Sequence, residues 1–182
     1  MKILRTTAPA LNPVSLAEAK LHSNVEHGND DGLLFGLIDA AVAYSEHYTG
    51  LKLMDQVWTA YLDCFESTME LPFKPIQSVV VKYDNGSEQI LSTNDYYLDD
   101  KSYPGTIEMI NWPEVDSAPN SVRIEVTCGE TEQESVSGAV KSAIFMLVSH
   151  MYENREASTT PQMNALPFGV GSLLDTAKVD YA

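Results

Sequence analysis

The apolar period of this chain changes twice, and that double change constrains the fold more than any single motif. Between Asp31 and Thr49, Leu34, Leu37, Ile38, Ala41, Ser45 and Tyr48 recur at three- and four-residue spacing, the period of one helix face. From Gln56 the period shortens to two, with Val57, Thr59, Tyr61, Asp63 and Phe65 alternating with Gln56, Trp58, Ala60, Leu62 and Cys64. By Val140 helical spacing has returned, placing Val140, Ile144, Leu147 and Met151 on one stripe and Phe145, Val148 and Tyr152 on another. A pattern of period two cannot keep its apolar side chains on one face of a helix. The chain is therefore α+β, with a small helical bundle drawn from residues 1–54 and 136–182 and a β-rich insertion over residues 55–135.

Local signals refine this division. Ser15-Leu16-Ala17-Glu18 is a capping box and predicts a first short helix from Ser15 to about Ser23. Asp30 and Asp31 open the second helix, and Thr49-Gly50 supplies a left-handed stop. Within the insertion, strands are expected over Ser78 to Tyr83 and Glu88 to Leu91, joined through Asp84-Asn85-Gly86, and again over Thr106 to Ile110 and Ser121 to Cys128. Pro72, Pro75, Pro104, Pro113 and Pro119 punctuate the block, which reads as a small sandwich or barrel. After one long C-terminal helix, Glu156 to Pro161 reads as a loop. Val170 to Lys178 follows as a short terminal helix, too small to stand without docking on something.

Charge narrows the function classes. With 26 Asp and Glu against 11 Lys and Arg, the 182 residues carry a net charge of −15, which excludes a basic footprint on nucleic acid or on an anionic membrane. The longest apolar run, Ala143 to Val148, is far short of the ~18 residues a membrane helix needs, and the N-terminus lacks the apolar stretch of an export signal. Asn85-Gly86-Ser87 is accordingly read as a turn rather than a glycosylation site. Cys64 and Cys128 both fall in alternating segments and are read as small buried hydrophobes, a disulfide being the alternative. By block, residues 1–54, 55–135 and 136–182 carry net charges of −2, −12 and −1. A nearly neutral helical part beside a strongly acidic β part suits helices that pack against copies of themselves.

Motifs of catalysis are missing. Gly169-Val170-Gly171 lacks the third glycine and the preceding strand of a phosphate cradle. The four histidines have no zincin spacing, and His150 with Glu153 is read as a surface or core-edge pair. Asp30-Asp31 and Asp99-Asp100 lack the ligand spacing of a calcium loop, and no serine sits in a nucleophile elbow. The expectation is no enzyme, no cofactor and no metal.

Several strings, in order along the chain, resemble the head-tail connector proteins of tailed phages, a group that includes adaptor, head-completion and DNA-packaging proteins. Pro13-Val14-Ser15-Leu16-Ala17-Glu18-Ala19-Lys20 is similar to the family's opening helix, and Asp30-Asp31 with Leu33, Leu34, Leu37, Ile38, Ala40 and Ala41 to its second. Glu46-His47-Tyr48-Thr49-Gly50 resembles its helix stop and Gln56-Val57-Trp58 the strand after it. The run from Glu70 to Val79 resembles the entry to the insertion of longer members. Tyr152-Glu153-Asn154-Arg155-Glu156 and Leu166-Pro167-Phe168-Gly169-Val170, with Leu173-Leu174, resemble the closing helix, loop and tail. The chain departs from the family in carrying Val42, Ala43 and Leu51-Lys52 where arginines are common.

The resemblance implies a structural subunit of a tailed phage or prophage. It implies a homo-oligomeric ring of about a dozen copies under the portal protein, with a downstream stopper or tail-completion protein below. The ring extends the DNA channel and prepares the head for tail attachment. Its place is the virion neck, the head-tail interface, after assembly in the bacterial host cytoplasm. A ring of twelve would carry on the order of 180 negative charges, so DNA would pass without specific binding. Leu166, Pro167, Phe168, Leu173 and Leu174 are the expected portal contacts, being large apolar residues on a segment too short to bury them. Phe145, Val148, Tyr152 and Arg155 are expected at the ring interface or in the core, two alternatives left open. An acidic DNA mimic that inhibits a host nuclease is the other reading of the same charge.

Overall fold

A computed structural model of the chain describes residues 1–154 and 168–179; residues 155–167 and 180–182, and the side chain of Phe168, lie outside the described set. The chain forms two compact units, one from Leu11–Met54 and Thr131–Val179, the other from Met1–Ala10 and Asp55–Glu130. Each has its own buried apolar cluster.

The first unit is helical, with α1 (Leu16–His22), α2 (Asp31–Thr49), α3 (Gly138–Glu153) and α4 (Phe168–Asp175). The capping box starts α1: the Glu18 amide donates to Ser15 Oγ at 3.2 Å, and the Ser15 amide donates to Glu18 Oε2 at 2.8 Å. These bonds hold the Glu18 carboxyl below its usual range, the serine hydroxyl contributing most. Gly50 ends α2 with φ of +78°, and its amide donates to the Glu46 carbonyl at 3.0 Å. Leu34, Ile38 and Ala41 of α2 pack with Val140, Ile144, Leu147 and Val148 of α3 and with Val170 and Leu174 of α4. Two buried hydroxyls on α2 turn back onto their own helix, Ser45 Oγ donating to Ala41 O at 2.8 Å and Thr49 Oγ1 to Ser45 O at 2.7 Å. They enter the core without leaving a polar group unpaired.

The second unit contains β1 (Lys2–Thr7), β2 (Gln56–Leu62), β3 (Thr68–Leu71), β4 (Ile76–Asp84), β5 (Glu88–Ile90), β6 (Tyr96–Asp99), β7 (Gly105–Met109) and β8 (Val122–Cys128). A five-stranded antiparallel sheet has the order β1-β2-β8-β4-β5, and a three-stranded sheet the order β3-β7-β6. In central strand β8, Val122, Ile124, Val126 and Cys128 are buried while Arg123, Glu125 and Thr127 are half-buried, as period two demands of a sheet with one core face. Ala60, Val81 and Ile124 from the larger sheet share one cluster with Met69, Leu71 and Ile107 from the smaller. The expected sandwich is thus present, and the α+β class with it. Gly105 lets the layers close: a Cβ there would meet Ile76 Cδ1 at 2.7 Å and the Asp99 carbonyl at 3.1 Å.

Two differences from the sequence-based division have physical reasons. Residues 2–7, expected in the helical part, form β1 and pair with β2 from Lys2↔Tyr61 to Thr7↔Val57. An edge strand is held through one row of main-chain bonds, so its mostly exposed side chains need show no alternation. At the other boundary, Thr131 to Ser135 belong to the helical unit, where Gln133 Nε2 donates to the Asn12 carbonyl. With these boundaries residues 1–10 and 55–130 carry six cations and 14 anions, net −8, while residues 11–54 and 131–179 carry five and 11, net −6. The near-neutral helical part was a product of cutting at residues 54 and 135. Both units are acidic. The cysteines also separate: Cys128 is buried and its Sγ donates to the Gln56 carbonyl at 3.7 Å, whereas Cys64, past the end of β2, is exposed. The two do not form a disulfide, which removes that alternative.

Candidate interaction surfaces

The residues expected at a ring or core interface on α3 meet partners within their own unit. Val148 is fully buried, and Phe145 stacks on His22 of α1 with ring centroids 5.4 Å apart. Ser149, one turn on, lies 2.9 Å from His22 Nδ1 and 2.8 Å from Ser23 Oγ, tying the end of α1 to α3. Tyr152 Oη donates to Asp30 Oδ2 at 2.6 Å, so the residue before α2 is anchored by the last turn of α3. Val148 is thus a core residue, while Phe145 and Tyr152 pack against the same cluster and stay partly exposed. Arg155 lies outside the described residues.

The terminal helix α4 also docks on its own chain. Val170 and Leu174, one turn apart, are fully buried, and Leu173 is partly buried against the same cluster. Tyr48 Oη of α2 donates to Asp175 Oδ1 at 2.8 Å, which raises the phenol above its usual range because the bond holds its proton. Lys178 Nζ lies 5.5 Å from the Tyr48 ring centroid, and the Val179 amide donates to the Thr49 carbonyl at 2.9 Å. Gly169 passes so close to α3 that a Cβ would meet Met146 Cε at 3.1 Å. The expectation for Leu174 is corrected, because its side chain, with Val170 one turn before it, is buried in the groove between α2 and α3; Leu173 is only partly covered. Leu166, Pro167 and the Phe168 side chain lie outside the described set.

On the larger sheet of the β unit, Arg123 and Lys82 are held by carboxylates. Arg123 makes bonds of 3.0 and 2.6 Å to the two oxygens of Asp84 and one of 3.0 Å to Glu88, and Lys82 donates to Glu125 at 2.7 Å. These bonds raise both cations above their ordinary values. The hollow beside Cys64 is lined by Lys2, Tyr61, Asp63, Glu66 and Asn120, with no histidine in its wall to activate a thiol. Among the described residues no group of three or more His, Cys, Asp or Glu is placed to hold a metal ion, and His150 Nδ1 faces Asn154 Nδ2 at 3.4 Å.

Comparison with known proteins agrees with the layout. The model of the family described as phage gp6-like head-tail connector protein matches residues 13–103, from the start of α1 through β6. No curated protein matches the chain. Among solved structures, a chain in the neck of an empty gene transfer agent particle, with C6 symmetry, is 22% identical with a TM-score of 0.81, covering 100% of this chain and 97% of that one. Chains in the virion of the native gene transfer agent particle and in its neck with C12 symmetry, also 22% identical and with the same coverage, give TM-scores of 0.78 and 0.77. At that identity the likeness establishes the fold.

Proposed function

The chain belongs to the phage gp6-like head-tail connector family, and from that premise we propose that it is a structural, non-catalytic subunit of a virion neck. About a dozen copies form a ring under the portal protein, extend the DNA channel, and offer the surface on which a stopper or tail-completion protein seats. The family match carries the reading, since it spans both the helical and the β unit. Whole-chain likeness to neck chains from particles treated with C6 and C12 symmetry supports the ring, because one fold repeated by a cyclic operator closes through side-to-side contacts.

The distribution of charge supports the channel role. Both units are net acidic, and Arg123 and Lys82 of the larger sheet are already held by carboxylates, so the net charge repels a DNA phosphate. The portal contact is assigned to Leu166, Pro167 and Phe168, with Leu174 withdrawn because its side chain is spent in its own core. The test is to mix the purified protein with its cognate portal and image the product by negative-stain electron microscopy. Twelve-fold or near twelve-fold collars on the portal are expected. Absence of any complex, together with protection of double-stranded DNA from a nuclease, would favour the DNA-mimic reading instead.

A further inference from the structure

The two sheets of the β unit treat their outward faces differently. On the larger sheet, Arg123 and Lys82 meet Asp84, Glu88 and Glu125, so charge of both signs is paired within the face. On the three-stranded sheet, Met69, Leu71, Ile107 and Tyr96 point into the core and are buried. Alternation therefore turns Thr68 and Glu70 of β3, Thr106 and Glu108 of β7, and Tyr97 and Asp99 of β6 outward. These three strands contain three carboxylates and no lysine or arginine. Glu70 and Glu108 are exposed and belong to none of the ion pairs among the described residues. Cations stand at the margins: Lys74 donates to the Lys101 carbonyl, Lys101 to Asp100, and Lys2 lines the hollow beside Glu66.

Large apolar side chains stand among these carboxylates. Tyr97 is 61% exposed, Ile110 59% and Trp112 55%. Tyr97 lies across from Glu108, and Ile110 follows Glu108 by two residues, so Tyr97 and Ile110 are diagonal neighbours on one face. Trp112 sits on a loop that is held on both sides. Before it, the amides of Ile110 and Asn111 donate to the Asp95 carbonyl at 2.8 and 3.1 Å, and Asn111 Nδ2 donates to Asp95 Oδ1 at 2.7 Å. After it, Val115 packs on the core cluster and the Asp116 amide donates to the Asp84 carbonyl at 2.8 Å. Tryptophan and tyrosine are the side chains that most often carry binding energy, and a loop already fixed pays little further ordering on contact.

We propose that the outward face of the three-stranded sheet, with Tyr97, Ile110 and Trp112 as anchors, is a docking surface for a short basic segment of a partner protein, one that carries lysine or arginine on either side of an apolar side chain. Charge selects the occupant. Whatever covers the aromatic residues must face Glu70, Glu108 and Asp95, which repels DNA, an anionic membrane and the acidic bulk of a second copy of net charge −15. A cationic segment brings the charge that this face lacks, as Arg123 and Lys82 bring it to the larger sheet. Size selects a segment rather than a domain, because the face is three strands wide and each strand is four or five residues long. The inference goes beyond the neck reading, and the contact itself needs no ring. Where copies repeat around one, a partner that engages several of these faces gains by effective concentration.

The test is isothermal titration calorimetry on the intact chain, at low and high salt, with three short synthetic peptides: leucines between lysines, lysines alone, and leucines between glutamates. The wild type is expected to bind the first, less tightly in high salt, and to bind the lysine-only peptide about tenfold more weakly. Tyr97→Ser combined with Trp112→Ser should weaken binding of the first peptide by about tenfold, the loss that follows removal of aromatic anchors. Glu108→Lys, which reverses the charge at the middle of the face, should weaken it by a similar factor that shrinks in salt. Ile90→Ser, an exposed apolar position on the larger sheet, should leave binding unchanged. Circular dichroism melts of all variants should match the wild type, since every replaced side chain is exposed; should the double variant melt early, Glu108→Lys and Trp112→Ser alone carry the decision. No binding of the first peptide, equal binding of the lysine-only or the acidic peptide, or binding unchanged in the Tyr97, Trp112 and Glu108 variants would each overturn the proposal. Failure of the wild type to form collars on portal would count against the neck reading and leave the calorimetric result standing.

Discussion

The two units manage their surfaces in opposite ways. On the larger sheet of the β unit, Arg123, Lys82, Asp84, Glu88 and Glu125 pair with one another, and the strand edges end in a register shift between Arg5 and Thr7 or in the three-residue β5. Helix α2 instead leaves Gly32, Gly36, Leu33 and Phe35 exposed. Their interiors are alike, each with a run of wholly buried aliphatic side chains.

The strongest way to break this comparison is to ask whether the two cores are separate. Ile144→Ala in the helical core and Ile124→Ala in the β core each remove a fully buried side chain and should each cost about 2–5 kcal/mol. Near-ultraviolet and far-ultraviolet circular dichroism on heating should shift mainly the transition of the altered unit. A single joint shift in both variants would mean that the cores unfold as one.

Next in size is the docking of α4. Leu174→Ala should destabilise the helical unit by about 2–5 kcal/mol, whereas Leu173→Ala, already partly exposed, should cost well under half of that. Equal, small losses in a denaturant titration would mean that α4 does not stand on the core. Shortening the chain before α4 is expected for the same reason to lower stability, so loss of portal binding in such a chain would not by itself locate the portal contact.

A smaller effect sharpens the picture of α1. Ser15→Ala should cost about 1 kcal/mol of helical-unit stability by leaving the Glu18 amide without its cap. The Glu18 carboxyl titrates lower in the folded chain than its ordinary value of 4.5. Its contribution is therefore present above that value and lost as pH falls through the lower, folded value. Melting temperatures of wild type and Ser15→Ala should differ most at neutral pH, and the part that comes from the Ser15 hydroxyl–Glu18 carboxylate bond should fade as the carboxyl protonates; a difference unchanged with pH would leave the serine–amide cap as its whole source.

The smallest expected change is on the β surface. Lys82→Met should alter stability by no more than about 1 kcal/mol, with the difference shrinking in salt, because the pair with Glu125 is partly solvated. A loss several times larger would show the ion pairs of that sheet to be structural supports rather than a solvated skin.

Some elements were legible because their causes are local. The Ser15–Glu18 capping box, the Gly50 stop and the alternation of Val122, Ile124, Val126 and Cys128 each depend on residues within a few positions, and each marks an element of the chain as folded. Strand β1 was not, since an edge strand with mostly exposed side chains is recruited by the free edge of β2, some 50 residues away. Strands β3 and β6, four residues each, are too short for a period to register.

The same division of causes governs the surfaces. Composition and the order of motifs by themselves determined the α+β class, the net charge of −15 and the family, since these reside in the string of residues. Only the tertiary structure decided which apolar residues are spent inside. Leu174 and Leu33 look equally available in sequence, yet one is fully buried and the other stands 41% exposed. What separates them is the packing of α2, α3 and α4, helices far apart in the chain whose shared groove takes the first leucine and leaves the second in water.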